Sequence, residues 1–523
     1  MQNHSQNHRQ NGHCVTSLYR PNLATLTDLY QLTMAYGYFK SGHVSKQSVF
    51  HMFFRKNPFH GGFAVAAGLE SLIDLVDNYR FEPEDMEFLA GLTGADNKPL
   101  FSRDSHDYLS TLKPSLDIDA VREGEIVFAH EPLVRVTGSL IECQLLETAI
   151  LNLFNFQTLI ATKAARVKLA AQGKPVLEFG LRRAQGVDGA LTASRCAYLG
   201  GCDATSNVLA GRIYGIPVKG THAHSWVMSF PSEMEAFAEY ARVMPNNCIF
   251  LVDTYDTLSG VRHAIATGER LRAAGHELTG IRLDSGDLAY LSIEARRMLD
   301  SAGFPETQIL ASNDLDEAVI ASLVEQGAAI DVWGVGTKLV TAEDQPALGG
   351  VYKLSCVRET AAEPWQPCLK LSEQAVKIST PGRHQVRRYY LADRPVGVEG
   401  TDRGDLQNRR FIGDMIFDMN AGEPSAQDNI IVDPVDFTRR KSIPVQASHE
   451  DLLVPIYRSG KLVYEVPSLQ SSRSLKEERL KAFHPTILRL LNPHQYPVGL
   501  ESGLHKMKLE LVLTARGFSD DVI

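Results

Sequence analysis

The sequence has few cysteines and no long hydrophobic run, and both absences narrow the class of protein. No apolar run is long enough for a transmembrane helix, and residues 1–22, rich in Asn, Gln and His, have no apolar core of a secretory signal. We therefore expect a cytoplasmic protein without a membrane segment and a disordered tail over residues 1–22. The seven cysteines are scattered and include no Cys-x-x-Cys pair, which predicts free thiols; they stand at positions 14, 143, 196, 202, 248, 356 and 368.

The chain also lacks an excess of positive charge. It has 53 Lys and Arg residues against 62 Asp and Glu residues, a formal net charge of −9, and no segment that forms a basic stripe. This balance argues against a dedicated nucleic-acid-binding protein. Anionic small ligands remain possible, because local basic residues can oppose the overall sign. The 523 residues, 44% of them hydrophobic, are enough for two or three globular domains.

The texture of the sequence divides the chain after the tail into three regions. We predict an N-terminal α+β domain over residues 23–140, a catalytic α/β domain over 141–355, and a C-terminal region over 356–523, part of which packs with the N-terminal domain. The elements expected outside the α/β domain are helices at 23–40, 68–78 and 472–493, a strand at 48–55, two strands around a turn within 121–137, and a hairpin at 369–395 that turns at 380–383.

The central region alternates short apolar strands with helices, after a long helical stretch at 140–172. Apolar runs without polar alternation, separated by helices, indicate parallel strands buried on both faces. At least six such units are compatible with a (β/α) barrel or with an open doubly wound sheet. The predicted strands are 176–179, 216–220, 248–252, 280–283, 308–311 and 330–335, and the predicted helices are 261–274, 288–302 and 315–326.

Polar side chains follow these apolar runs repeatedly. Active sites of parallel barrels lie at the carboxyl ends of the strands, so these positions are the candidate site. Capping of the following helix is the competing explanation, and it suits Asp287 and Asp314 better than it suits Arg282, Asp284 or Thr337. The segments concerned are Arg182-Arg183, Thr221 with His224, Asp253-Thr254, Asp284 to Asp287, Ser312 to Asp314, and Gly334 to Lys338.

Several of these residues carry recognisable chemistry. Arg282 and Asp284 alternate along one strand, so both can point to the same side, either as a structural ion pair or as a grip on phosphate and ribose. Gly336 and Thr337 follow an apolar strand and suit a phosphate, because glycine lets the backbone approach and the hydroxyl donates a hydrogen bond. The segment is neither a Walker A loop nor a G-x-G-x-x-G motif. His224, flanked by small residues at a strand end, can meet a phosphate as a neutral nucleophile.

Taken together, the segments resemble those of the nicotinate phosphoribosyltransferase family. The resemblance implies an irregular (β/α) barrel with an adjoining α+β domain and a C-terminal extension. It implies transfer of phosphoribose from phosphoribosyl pyrophosphate to nicotinate, coupled to ATP hydrolysis through a phosphohistidine and dependent on Mg²⁺, in NAD salvage. The segments that carry the resemblance are TDLYQ at 27–31, EFGLRRAQG at 178–186, LTAS at 191–194, SNVLAG at 206–211, GTHAHS at 220–225, DTY at 253–255, IRLDSGD at 281–287, SN at 312–313, GVGT at 334–337 and LGGVYK at 348–353.

The same resemblance implies roles for individual residues. His224 matches the phosphorylated histidine, whereas His222 is a lesser candidate because it occupies a variable position. Tyr30 and Phe179 would sandwich the pyridine ring, and Asp203 would approach it. Arg182 and Arg282 would bind its carboxylate or the ribose phosphate. Thr221 would contact substrate, Asp284 would hold the ribose, and Gly336 and Thr337 would hold the 5′-phosphate. The Mg²⁺ ligands stay unassigned.

Alternatives remain at this point. Nicotinamide phosphoribosyltransferase shares the fold and chemistry but takes the amide substrate, and quinolinate phosphoribosyltransferase is a much shorter family without the phosphohistidine. The chain could also be a catalytically inactive ligand sensor on the same fold. The resemblance further implies a homodimer. Residues 1–22 and 400–523 contain no family motif that we can identify.

Overall fold

The computed structural model of the chain describes residues 22–392, 409–425 and 429–518. The predicted tail at 1–22 lies outside the described residues except for Asn22, and so does the end of the predicted hairpin, 393–395. The described residues form sixteen α-helices: α1 Leu29–Lys40, α2 Leu69–Asp77, α3 Pro83–Ala90, α4 Arg103–Thr111, α5 Leu140–Leu145, α6 Glu147–Ala170, α7 Gly186–Gly200, α8 Val208–Tyr214, α9 His224–Met228, α10 Glu233–Val243, α11 Thr257–Ala273, α12 Leu288–Ser301, α13 Glu317–Glu325, α14 Thr337–Val340, α15 Leu469–Ala482 and α16 Ser502–Ala515.

Twenty-one β-strands accompany these helices in the described part of the chain. They are β1 Gln47–Phe54, β2 Ala64–Val65, β3 Asp117–Ala120, β4 Ile126–Val127, β5 Val134–Ser139, β6 Val176–Glu178, β7 Ala204–Thr205, β8 Ile249–Leu251, β9 Gly280–Leu283, β10 Gln308–Ala311, β11 Val332–Val335, β12 Gly350–Arg358, β13 Gln366–Pro367, β14 His384–Ala392, β15 Arg409–Asp418, β16 Ile430–Val432, β17 Arg440–Ser442, β18 Ser448–Asp451, β19 Val454–Arg458, β20 Lys461–Leu462 and β21 Val498–Glu501.

The chain divides into two compact units. The first, here called the parallel unit, comprises residues 160–346, and the second, the antiparallel unit, comprises the described residues of 22–159 and 347–518. The catalytic domain is predicted at 141–355. The compact unit instead begins at residue 160, inside α6, and ends at residue 346.

The parallel unit is built on one six-stranded sheet with the order β7-β6-β11-β10-β9-β8. Every neighbouring pair in this sheet is parallel. Its strands are buried, with Ile281, Leu283 and Ile309 each 0% exposed. Burial on both faces explains why they appear in the sequence as unbroken apolar runs. Helices α11, α12 and α13 follow the predicted helices closely, and the predicted strands 280–283 and 308–311 are confirmed.

The predicted closed barrel is not confirmed, because the described residues of this unit form an open sheet. The predicted strand 216–220 is also absent. It is reduced to a single bridge between Val218 and Thr205, flanked by hydrogen bonds from Thr205 N to Pro217 O and from Lys219 N to Thr205 O. Pro217 has no N–H to donate, which limits how far a ladder can extend at this position.

The antiparallel unit contains the remaining sheets. A seven-stranded sheet has the order β13-β12-β1-β5-β3-β19-β20, and a six-stranded sheet has the order β17-β16-β21-β15-β14-β18. Strand β19, from the C-terminal region, pairs with β3 near the N-terminus. The long helical stretch predicted at 140–172 is present as α5 and α6, and the charged helix predicted at 472–493 is the shorter α15.

The predicted hairpin at 369–395 is wrong. Strand β14 pairs with β15 and with β18, not with the segment that precedes it. Within the predicted turn 380–383 the structure has a bend at Gly382, whose φ is 107°, a conformation that glycine adopts without a steric penalty. β14 pairs with two strands that follow it in the sequence, and the turn residues at 380–383 do not by themselves specify which strand becomes the partner.

Candidate functional site

The polar cluster predicted at the strand ends exists at the carboxyl edge of the parallel sheet, with Arg282 of β9 at its centre. The guanidinium group donates from Nε to Ser312 Oγ (2.8 Å), from Nη1 to Thr221 Oγ1 (3.0 Å) and from Nη2 to Asp284 Oδ1 (2.9 Å). Three loops therefore hold one planar cation in a fixed orientation. The Arg282 side chain is only 14% exposed.

Asp284 is kept ionised by this arrangement. Partial burial acts to raise its pKa, but the hydrogen bond from the Ser312 hydroxyl and the charge of Arg282 outweigh burial, so the pKa lies below its usual value. The backbone N–H of Asp284 donates to Asp253 Oδ2 at 2.9 Å, which ties the carboxyl ends of β8 and β9 together. The second oxygen of Asp284, Oδ2, lies 3.8 Å from His224 Nε2.

His224 lies beside this cluster as the first residue of α9. Its Nδ1 is 3.1 Å from Thr254 Oγ1, so the hydroxyl occupies that nitrogen. Its Nε2 lies 3.8 Å from Asp284 Oδ2 and 4.0 Å from Asp253 Oδ1, and the side chain is 40% exposed. The nitrogen available to an incoming electrophile is therefore Nε2, between two carboxylates.

Three residues in contact with Arg282, Asp284 or His224 were given no individual role from the sequence. They are Asp253, Thr254 and Ser312. Asp253 has a side chain that is 0% exposed, accepts from Ser285 Oγ at 2.6 Å through Oδ2, and has no hydrogen-bond partner at Oδ1 within the described structure. A buried, unsatisfied carboxylate oxygen facing a histidine is typical of a functional site. Their positions in the sequence could have indicated a role, since these residues follow the apolar runs that end at Val252 and Ala311.

Phe179 lines the same edge, next to β11. Its backbone N–H donates to Val335 O at 2.8 Å, and its ring centroid lies 5.6 Å from Arg282 Cζ. A Cβ at Gly334 would lie 2.8 Å from Phe179 Cδ2, so the glycine makes room for the ring. A flat aromatic ligand stacked on Phe179 would therefore have a cation at its edge.

The turn after Phe179 is fixed by a buried carboxylate. Glu178 is 0% exposed, accepts from the backbone N–H of Gly180, and accepts the hydroxyls of Ser194 at 2.8 Å and Thr205 at 2.5 Å. These bonds satisfy the buried charge and hold the segment EFGLRRAQG in place.

Gly336 and Thr337 lie where β11 meets α14. The first amides of a helix have no partner within the helix, and Thr337 is partly exposed, so this turn presents donors suited to an anion. The next residue, Lys338, is held by Asp316, with Nζ at 2.9 Å from Oδ2.

The remaining predicted site residues are Arg182, Asp203 and Tyr30. Arg182 is exposed on the 3₁₀ turn Leu181–Arg183. Asp203 is not brought to the cluster, because its carboxylate binds Lys168 Nζ and the N–H of Val176, both at 2.8 Å, at the opposite end of β6. Tyr30 lies on α1 of the antiparallel unit and is 49% exposed.

The capping explanation is confirmed for one of its two residues. Asp287 caps α12 by accepting from Tyr290 N at 3.1 Å. Asp314 does not cap; that role falls to Asp316, which accepts from Val319 N. Asn313 and Asp314 instead have φ values of 104° and 41°, a strained backbone directly after Ser312.

Within the described residues, no group of three or more His, Cys, Asp or Glu side chains is arranged to hold a metal ion. Among the described helices, none combines the length and the apolar character needed to span a membrane.

A parallel α/β sheet with Arg, Asp and His side chains at its carboxyl edge defines a class of proteins that bind anionic small molecules there. Comparison with known proteins narrows this class. Sequence models of nicotinate phosphoribosyltransferase match its N-terminal domain at residues 25–155, the family proper at 175–378 and the C-terminal domain at 404–508. The last match covers much of the region in which we identified no motif.

Individual relatives agree. Nicotinate phosphoribosyltransferase from Bacillus subtilis is 40% identical over 495 residues, which cover 94% of this chain and 95% of the relative. The crystal structure of human nicotinic acid phosphoribosyltransferase has a TM-score of 0.77 and 33% identity, covering 93% of this chain and 99% of that chain. The chain belongs to the nicotinate phosphoribosyltransferase family.

Proposed function

We propose that the protein transfers phosphoribose from phosphoribosyl pyrophosphate to nicotinate. The observation that carries the proposal is the Arg282 cluster beside His224 at the carboxyl edge of the sheet. The 40% identity to nicotinate phosphoribosyltransferase from Bacillus subtilis supports it. In the reaction, the pyridine nitrogen forms a bond to the anomeric carbon, and the bond from that carbon to pyrophosphate breaks. Fixed positions and charges that stabilise the departing pyrophosphate are what such a displacement needs from a protein.

The substrate groups can be assigned to the cluster by their chemistry. The pyridine ring stacks on Phe179, and the ring carboxylate or the ribose phosphate binds Arg282. Asp284 accepts from ribose hydroxyls, Thr221 contacts substrate, and Gly336 with Thr337 binds the 5′-phosphate. Tyr30 on the other face of the ring and Arg182 on an anionic group remain part of the proposal, whereas the ion pair of Asp203 with Lys168 argues against a role for Asp203 at the ring.

ATP hydrolysis is coupled through His224, which would place the protein among ATP-dependent carbon–nitrogen ligases. Nε2 attacks the γ-phosphorus, the new nitrogen–phosphorus bond forms, and the bond to the ADP oxygen breaks. Water later releases inorganic phosphate. The contact of Nδ1 with the Thr254 hydroxyl supports attack from Nε2, because Nδ1 is engaged at 3.1 Å and the His224 side chain is 40% exposed.

The residues present fit Mg²⁺. Asp253 Oδ1 is buried without a partner among the described residues, and it and Asp284 Oδ2 lie 4.0 and 3.8 Å from the same atom, His224 Nε2. Mg²⁺ usually binds one or two carboxylates together with substrate phosphates, so a complete protein cage is not required. When bound, the ion would neutralise charge on pyrophosphate and on a phosphorylated histidine, while Asp253 and Asp284 would hold it.

Pyrophosphate release tests the proposal directly. The assay contains phosphoribosyl pyrophosphate and Mg²⁺ with either nicotinate or nicotinamide, each with and without ATP. We expect release with nicotinate, stimulated by ATP. Release with nicotinamide alone would assign the amide substrate instead, and release with neither would return the protein to the ligand-sensor hypothesis.

The H224A variant tests the phosphohistidine separately. We expect it to lose ATP stimulation and to take up no label from γ-³²P-ATP, while nicotinate-dependent release without ATP persists. A variant that keeps full ATP stimulation would contradict the role of His224.

We also infer a cytoplasmic homodimer from the family resemblance, and light scattering after size-exclusion chromatography measures the subunit number.

A further inference from the structure

The outer edge of β8 has a backbone donor that the sheet does not satisfy. β8 is the last strand in the sheet order, and on its inner side Val252 N donates to Arg282 O of β9 at 3.2 Å. Because successive N–H groups of a strand point to opposite edges, Leu251 N points away from β9. Its acceptor is a side chain: His222 Nε2, at 3.2 Å.

The buried, neutral imidazole of His222 is suited to accept this hydrogen bond. It is 8% exposed and lies among aromatic rings, with its centroid 5.0 Å from that of Tyr240 and 6.2 Å from that of Phe237. Burial lowers its pKa to about 4, so the imidazole is neutral at physiological pH. Since Nε2 accepts, the ring proton is on Nδ1, which lies 3.4 Å from Ala223 O.

His222 and His224 contact the same neighbouring segment. His222 binds Leu251, and His224 binds Thr254 three residues later, with Asp253 between these two contacts. The distance from His224 Nε2 to Asp253 Oδ1 therefore depends on how the GTHAHS segment is held against the end of β8. A displacement of about 1 Å in such a constellation typically costs about 100-fold in rate.

We propose that His222 is a positioning residue: its Nε2 fixes the outer edge of β8 and thereby holds Asp253 and Thr254 in place around His224. The proposed consequence for turnover rests on the proposed function, but the contact itself does not. His222 touches no reacting atom in this scheme and acts only through the β8 segment.

Two substitutions separate hydrogen bonding from packing. H222F keeps an aromatic ring among Phe237, Tyr240 and Phe250 but removes the acceptor. H222Q removes the ring but retains an oxygen near the position of Nε2. H276A changes a histidine that binds Asn246 at the amino-terminal side of β9 and serves as the unrelated control.

Amide hydrogen exchange of the peptide covering residues 248–254 measures the contact without reference to activity. We expect slow exchange at Leu251 in the wild type and in H222Q, and faster exchange in H222F. In the nicotinate assay we expect kcat of H222F to fall about 10- to 100-fold with KM for nicotinate changed less than about threefold, and H222Q to recover most of kcat.

Several results would overturn the proposal. These are fast exchange of Leu251 in the folded wild type, an H222Q variant as impaired as H222F, or an H222F variant with wild-type kcat. If H222F does not fold, the wild-type exchange and the H222Q rate still decide. A wild type without nicotinate-dependent turnover would refute the proposed function, while hydrogen exchange would still report on the His222 contact.

Discussion

At the scale of single residues, the site depends on one guanidinium group whose three nitrogens each donate a hydrogen bond to a different side chain. Arg282 joins Thr221, Asp284 and Ser312, which come from three separate loops. A point charge could satisfy the electrostatics but not the three directions at once, because a lysine ammonium has no planar fork. The geometry of the guanidinium group is therefore more important than its charge.

The R282K variant tests this distinction. We expect kcat/KM for nicotinate to fall about 100-fold or more, since positive charge is retained while two of three contacts are lost. R297K is the matched control, because Arg297 is 71% exposed on α12 and its ion pair is with a helix neighbour, Glu294, at 2.5 Å. An R282K enzyme within about threefold of wild type would mean that charge alone suffices.

At the scale of elements, strand ends and helix starts share the same short loops. Asp256, Asp287 and Asp316 cap α11, α12 and α13, and each lies two to four residues after a residue of the site. Capping and function could therefore be separated only partly from the sequence. Arg282 and Asp284 were predictable because neither is explained by a cap, whereas Asp253 has the same position relative to its strand and received no role.

β11 contributes to the site by having a glycine, Gly334, beside the ring of Phe179. Gly334 has no side chain, and a Cβ there would lie 2.8 and 2.9 Å from two atoms of the Phe179 ring. In a G334A variant we expect the ring to move, so that KM for nicotinate rises about tenfold and the free energy of unfolding falls by about 1–3 kcal/mol.

G189A is the control for this substitution. A Cβ at Gly189 in α7 meets nothing within 4 Å, so that variant should keep its KM and gain slightly in stability. A G334A enzyme with unchanged KM would show that the ring of Phe179 does not bind the pyridine.

At the scale of the whole molecule, the sequence predicted the alternating strands and helices of the parallel unit but not how the sheet ends. Buried parallel strands are continuous apolar runs, so β9 and β10 were located to the residue. Whether a sheet closes depends on the pairing of its first and last strands, and the 216–220 segment forms only one bridge. The hairpin predicted at 369–395 is wrong because β14 pairs with two strands that follow it, β15 and β18, and not with the segment before it.

Both compact units contain buried histidines that are neutral at physiological pH, and this makes stability depend on pH. Burial lowers the pKa of His384 and of His222 to about 4 and lowers that of His51, which stacks on His384 at 4.2 Å, well below its usual value. In the unfolded chain these groups bind protons below about pH 6.5, whereas His384 and His222 in the folded protein stay neutral until about pH 4. Stability is therefore fully present above pH 6.5 and is lost as the pH falls through this window.

We expect the urea midpoint to fall between pH 7 and pH 5, with His384 and His222 each contributing about 2 kcal/mol to the loss. In H384Q the group that titrates is gone, while an amide can still donate to Pro381 O, the present acceptor of His384 Nε2 at 2.8 Å. The midpoint of H384Q should accordingly fall less over the same range, even if it starts lower at pH 7. An equal drop in H384Q and wild type would exclude His384 as a source, and the remaining pH dependence would then have to come from other buried groups.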